Sequence, residues 1–224
     1  NSTVEAWICP GGDIDYYKFT GSVGDHVGCL VEASSSIPNS ELDPYLFLLD
    51  QDGSTVLIEN DDQVLAQHTD SELSFVLPQN GDYYLKVRAW DHPSGGGNRH
   101  NYRLHLFQDD VDPSASFIYP LTGNSLPNQP IALAISTQDN LSGISHMRFW
   151  WHSADWQNEE WILLGEDWDG QDGWSYPFDA SSIPSQLGMA FYAQIYDRAG
   201  NWRGVGVWNL SKSTPSYFFP IIYR

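Results

Sequence analysis

Basic side chains are scarce in this chain: ten Lys and Arg stand against 29 Asp and Glu, for a formal net charge of −19. A surface so poor in positive charge cannot neutralise phosphates, which excludes nucleic acid as a partner and disfavours anionic membranes. Long apolar runs are also missing. None approaches the ~18–20 residues that a transmembrane helix needs, so no transmembrane segment is expected. Cysteine is limited to Cys9 and Cys29, with no further Cys and no His at ligand spacing, which rules out a structural zinc site.

Catalytic signatures are absent as well. There is no G-x-S-x-G elbow, no H-E-x-x-H and no phosphate loop, and His26, His68, His92, His100, His105, His146 and His152 are scattered along the chain. His100 and His105, the nearest pair, would project to opposite faces of one strand. Neither an enzyme nor an organic cofactor is expected.

What the sequence does have is 224 residues, 14% of them aromatic, with Gly and Pro recurring at short intervals. That length suits two domains, and the punctuation suits short strands joined by tight turns. The chain opens Asn1-Ser2-Thr3 without an initiator Met or an apolar leader, as a chain does once a signal peptide has been removed. A secreted or cell-surface location is expected, where Cys9 and Cys29 would form a disulfide worth roughly 3 kcal/mol on a chain-entropy estimate.

In the first half, alternation marks strands at 14–20, 26–33, 45–49, 55–59, 72–77, 83–89 and 101–107, separated by turn signals such as Gln51-Asp52-Gly53-Ser54 and Gln79-Asn80-Gly81-Asp82. Seven or eight such strands predict a sandwich. A hairpin turning at residues 51–54 pairs positions whose numbers sum to about 104 or 105. That places Asp43 near Asp61 and Asp62 and leaves Asp50 and Asp52 about 20 Å away, at ~3.3 Å per residue. Asp43, Asn60, Asp61 and Asp62 form a candidate calcium site, since hard oxygen ligands suit Ca²⁺.

Several stretches of this half, in order, resemble the bacterial pre-peptidase C-terminal domain. They are Gly12-Asp13-Ile14-Asp15-Tyr16-Tyr17-Lys18-Phe19, Leu42-Asp43-Pro44-Tyr45-Leu46, Leu49-Asp50-Gln51-Asp52-Gly53, Asn60-Asp61-Asp62, Gly81-Asp82-Tyr83-Tyr84-Leu85-Lys86-Val87 and Asn101-Tyr102-Arg103-Leu104. The resemblance implies a jelly-roll-type β-sandwich with an accessory role and no active site.

Asp109-Asp110-Val111-Asp112-Pro113 interrupts the pattern and marks a linker. Strands follow at 131–136, 145–151, 160–164, 174–178, 189–196 and 202–210, the count of an immunoglobulin-like sandwich. Asp139-Asn140-Leu141-Ser142-Gly143-Ile144, Trp161-Ile162-Leu163-Leu164-Gly165-Glu166-Asp167 and Tyr196-Asp197-Arg198-Ala199-Gly200-Asn201 resemble bacterial Ig-like domains of surface proteins. In that topology Asp109, Asp110, Asp112, Asp139 and Asp197 would converge. Such a cluster needs a cation, or an Arg such as Arg198, to relieve its repulsion, so a second candidate calcium site lies between the domains; the alternative is that these aspartates only cap turns.

Phe149, Trp150 and Trp151 are consecutive, so Trp150 must face away from its neighbours. Trp156, Trp168 and Trp174 are candidates for a platform that stacks extracellular polysaccharide, the alternative being that they fill the core or cover a sheet edge, as most tryptophans of a sandwich do. An apolar tail closes the chain, and its Tyr217, Phe218, Phe219, Ile221, Ile222 and Tyr223 either dock on the chain's own domains or are candidates for binding another copy or another surface protein, with filaments as the result. The expectation is an all-β chain of two sandwiches in tandem, 1–109 and 110–213, with a tail at 214–224. It would act as a structural or adhesive surface protein, or as the accessory binding region of a larger secreted peptidase or hydrolase.

Overall fold

The computed structural model describes residues 1–63, 69–157 and 160–212. Within them the chain is all-β, fifteen strands with a single 3-10 turn at Gly170–Asp172. It forms two compact units. The first contains Asn1–Pro113 together with two later segments, Asp139–Ser145 and Tyr196–Trp202.

Eight strands build the sandwich of the first unit: β1 (Ser2–Trp7), β2 (Ile14–Gly21), β3 (His26–Glu32), β4 (Pro44–Leu49), β5 (Val56–Asn60), β6 (Ser71–Val76), β7 (Gly81–Ala89) and β8 (Asn101–Gln108). One antiparallel sheet runs β1-β8-β3-β6 and the other β2-β7-β4-β5. Alternation decides which face is inside. In β7, Tyr83, Leu85, Val87 and Ala89 are buried while Tyr84, Lys86 and Arg88 point outward. Leu46 and Leu48 of β4 join Val27, Cys29 and Val31 of β3 in the core between the sheets. The outward Phe47 is covered in turn by Lys86 and Arg88, which lie over its ring at 4.4 and 5.3 Å.

The disulfide expected from sequence does not form; both cysteines are free. Strand register explains this. Cys29 pairs with Leu106, and Leu106 pairs with Ser2, so Cys9 lies seven residues along the chain from the level of Cys29. At ~3.3 Å per residue that is about 23 Å, far beyond the ~7 Å limit for bridging Cα atoms. Cys29 is fully buried, and burial pushes its thiol pKa up, whereas Cys9 is exposed.

Seven strands build the second sandwich: β9 (Ser114–Tyr119), β10 (Pro130–Gln138), β11 (Ile144–His152), β12 (Ile162–Asp167), β13 (Ser175–Asp179), β14 (Gln186–Asp197) and β15 (Trp202–Lys212). They pair as β13-β10-β9 and β12-β11-β14-β15. This is the strand order of an immunoglobulin-like sandwich in which the fourth strand joins the sheet of the third, sixth and seventh. Leu133, Ile135, Met147, Phe149, Phe191 and Ile195 are buried within it. The aromatic run splits as its period requires. Phe149 is fully buried and Trp151 packs on Phe178 and Phe191, while Trp150 lies on the other face beside a register shift between β11 and β12.

Candidate functional site

Carboxylates lie close together in two groups in the first unit. In the first, Asp43 precedes β4 and Asp61 and Asp62 follow β5, so the hairpin brings both of its ends together. Burial, then Asp62, Asp61 and Asp91, push the Asp43 carboxyl up to about 6. Its Oδ1 is buried and accepts no hydrogen bond among the described residues. Asp61 Oδ1 accepts from the Asp62 N–H at 3.0 Å, and its Oδ2 accepts from the Trp90 indole at 3.1 Å. Asn60 behaves differently, because its amide donates to the Glu72 carbonyl at 2.7 Å. The residue that sequence reasoning missed is Asp91. It follows Trp90, whose N–H donates to the Asp43 carbonyl at 2.8 Å, and so it arrives from a loop remote in sequence.

Asp109, Asp139 and Asp197 converge further. One oxygen from each lies within 4.8 Å of the others, the one group of at least three ligand-type side chains among the described residues to meet that distance. Asp109 and Asp197 are each only 2% exposed. Local chain geometry places all three. Asp139 Oδ1 accepts the N–H groups of Leu141, Ser142 and Gly143 at 3.1, 2.9 and 2.7 Å. Asp197 Oδ1 accepts those of Ala199 and Asn201, both at 2.9 Å, in a turn that Gly200 closes at φ +89°. Ser142 donates its N–H and hydroxyl to Asp109 Oδ2 at 3.1 and 2.9 Å, and Asn201 Nδ2 bonds both the Asp109 carbonyl and Asp197 Oδ2.

These bonds do not remove the repulsion. Burial first, and then the Asp109 and Asp139 charges, raise the Asp197 carboxyl to about 6 against the pull of Asn201. Arg198 does not relieve it, since its guanidinium bonds Glu72 Oε2 at 2.8 Å. Three close carboxylates without that counter-charge form a hard oxygen donor set that fits Ca²⁺. Of the residues expected to converge here, Asp109, Asp139 and Asp197 meet. Asp110 instead accepts the His26 N–H at 3.0 Å, and Asp112 is exposed outside the cluster.

The expected tryptophan platform is divided. Trp151 pairs with Ile162 and Met147 with Asp167, so Trp156, after β11, and Trp168, after β12, leave opposite ends of the β11–β12 hairpin. Trp168 stacks on His146 at 4.0 Å and bonds Glu166 at 3.0 Å, and Trp174 packs over Gly170. Trp156 keeps other company, with Trp161 and Trp208 each 6.0 Å away. The tail residues Tyr217, Phe218, Phe219, Ile221, Ile222 and Tyr223 lie outside the described residues, as does His68.

Comparison with known proteins bears on the sandwich that holds Asp43. Residues 13–89 match the bacterial pre-peptidase C-terminal domain. Over 77 residues the chain is 41% identical to a probable subtilase-type serine protease of Deinococcus radiodurans. That stretch is 34% of this chain and 10% of the protease, so the chain spans only about a tenth of the relative it matches. The matched stretch contains Asp43, Asp61 and Asp62 of the first group.

Proposed function

We propose that this chain is a non-catalytic accessory region of a secreted peptidase, in which calcium stiffens the loops that hold the acidic clusters. The observation that carries this reading is the likeness of the first sandwich to a short part of a much longer subtilase-type protease. A module that recurs as a small fraction of a protease serves the rest of that protein through binding or folding. The chain's own residues suit such work: Asp43 and Asp197, two carboxyls raised to about 6, each sit among other aspartates. The second sandwich extends the accessory region as an Ig-like module. An extracellular location agrees with this, and among the described residues no helix is long and apolar enough to cross a membrane.

Calcium supplies the charge that the aspartates lack. Asp109, Asp139 and Asp197 would ligate one ion, and Asp43, Asp61, Asp62 and Asp91 would hold a second more loosely. A reading as a self-assembling surface protein would depend on the tail at 214–224, outside the described residues, and no observation favours it.

The test is to isolate the native polypeptide with an antibody against this chain and examine its length and activity. The accessory reading expects a polypeptide longer than 224 residues, with peptidase activity that the isolated chain lacks. A native product consisting of this chain alone, without an associated peptidase, overturns it.

A further inference from the structure

The second unit has an aromatic cleft on the outward face of the β12-β11-β14-β15 sheet. Trp150 of β11, Trp161 just before β12, Tyr192 of β14 and Trp208 of β15 line a volume of about 320 Å³. This is at the small end of ligand pockets. The rings support one another: Trp161 meets Trp208 edge-on at 5.7 Å and Tyr192 at 5.8 Å. Trp156 borders the group, held by a 3.0 Å bond from its indole N–H to the Gly188 carbonyl and by stacking on His152 at 3.9 Å.

Two glycines of β15 keep the rings low on the sheet. A Cβ on Gly204 would come within 2.0 Å of the Tyr192 hydroxyl, and one on Gly206 within 2.8 Å of the Trp208 ring. Side chains there would lift both rings out of place. Trp156 and Trp208 nonetheless remain 48% and 41% exposed, an arrangement costly to maintain for packing alone.

We propose that this cleft binds a neutral polysaccharide through stacking of its pyranose rings, with β-linked gluco-configured chains as the preferred class. This rests on the accessory reading and names the ligand such a region would hold. Three observations select the class. All four lining side chains are uncharged, and a net charge of −19 works against anionic glycans. Every lining side chain is aromatic, which suits the flat C–H face that an all-equatorial pyranose presents. The lining also keeps donors in hand: no hydrogen bond among the described residues uses the Trp161 or Trp208 indole N–H. Sugar hydroxyls bring acceptors to such a wall, which an aliphatic side chain or a quaternary ammonium cannot do. The rings also touch each other, so they do not leave the enclosed box that a bare cation would occupy.

The experiment titrates the full chain with cellohexaose and chitohexaose, by calorimetry and by tryptophan fluorescence. Binding of at least one is expected. Trp208→Ala and Trp161→Ala should weaken it by about tenfold or more, and Trp7→Ala, an exposed tryptophan of β1, should leave it within about twofold. If Trp161→Ala lowers the melting temperature, the exposed Trp208→Ala decides. Failure of both saccharides to bind, binding that survives both cleft variants, or equal weakening by Trp7→Ala overturns the proposal. So does a dimer that Trp208→Ala abolishes without any saccharide binding, which would assign the cleft to a second copy. A chain that binds neither saccharide but occurs on a peptidase polypeptide loses this proposal and keeps the accessory reading.

Discussion

Arg198 turns away from Asp197, its neighbour in sequence, and places its guanidinium 2.8 Å from Glu72 Oε2. Glu72 also accepts a hydrogen bond from the Gln63 amide, and burial raises its carboxyl despite the Arg198 charge. Removing the arginine would strand that carboxylate. Arg198→Met should therefore destabilise the fold by about 3 kcal/mol at neutral pH, measured by urea unfolding, because an uncompensated buried charge is expensive. The loss should shrink in acid, where a protonated Glu72 needs no partner.

Calcium should raise the melting temperature of the wild-type chain, since an ion held only by the folded state stabilises it by mass action. Asp139→Asn tests the location cleanly. The amide keeps an oxygen for the N–H groups of Leu141, Ser142 and Gly143 but removes one charge from the cluster. Without calcium the variant should melt no lower than wild type, and with calcium it should lose most of the shift. An undiminished shift would place the ion elsewhere.

Asp43 gives a pH signature. Its carboxyl is raised from 3.8 to about 6, so protonation favours the folded state. That contribution is fully present below the unfolded value near 3.8 and is lost as the pH rises through about 6. In chelator, Asp43→Asn should be more stable than wild type at pH 7.5, with the advantage fading through pH 6 and gone near pH 4. Melting curves of both proteins across that range check the sign. In calcium the order should reverse, because the amide no longer supplies a carboxylate ligand.

The thiols separate kinetically. Cys9 is exposed and should react with a thiol reagent in the native protein, whereas Cys29, fully buried in β3, should react only after denaturation. Native mass analysis after alkylation should show one modification, and two after unfolding in guanidinium. A protein that takes up none even when unfolded would contain the disulfide after all.

Much of the strand pattern was legible because burial on one face leaves a period of two in the residues. β1 and β9 escaped, and both lie at sheet edges. β1 in particular is mostly exposed, so alternation there carries little information. Distances between strands were harder to read than strands. The β4–β5 hairpin pairs Leu46 with Asn60, slightly off the expected register, and a shift between Leu48 and Leu49 absorbs the difference. Asp91 and Trp161 were invisible as site members because each reaches its group through a sheet neighbour rather than through nearby sequence. Trp156, Trp168 and Trp174 looked like a set for the opposite reason: they are close in the chain, and a hairpin divides them.

The first unit draws on residues as late as 202. Gly28 illustrates the dependence, for a Cβ there would come within 1.8 Å of the Arg198 carbonyl oxygen, so β3 leaves space for a segment made 170 residues later. A chain made from its N-terminus can form the eight-stranded sandwich early, yet Asp109 must wait for Ser142 and Asn201 before its hydrogen bonds are complete. Completion of the acidic pocket is thereby delayed until residue 201 has been made. A cation drawn to Asp109, Asp139 and Asp197 would meet its assembled ligands only after the segments around all three had been made and folded together.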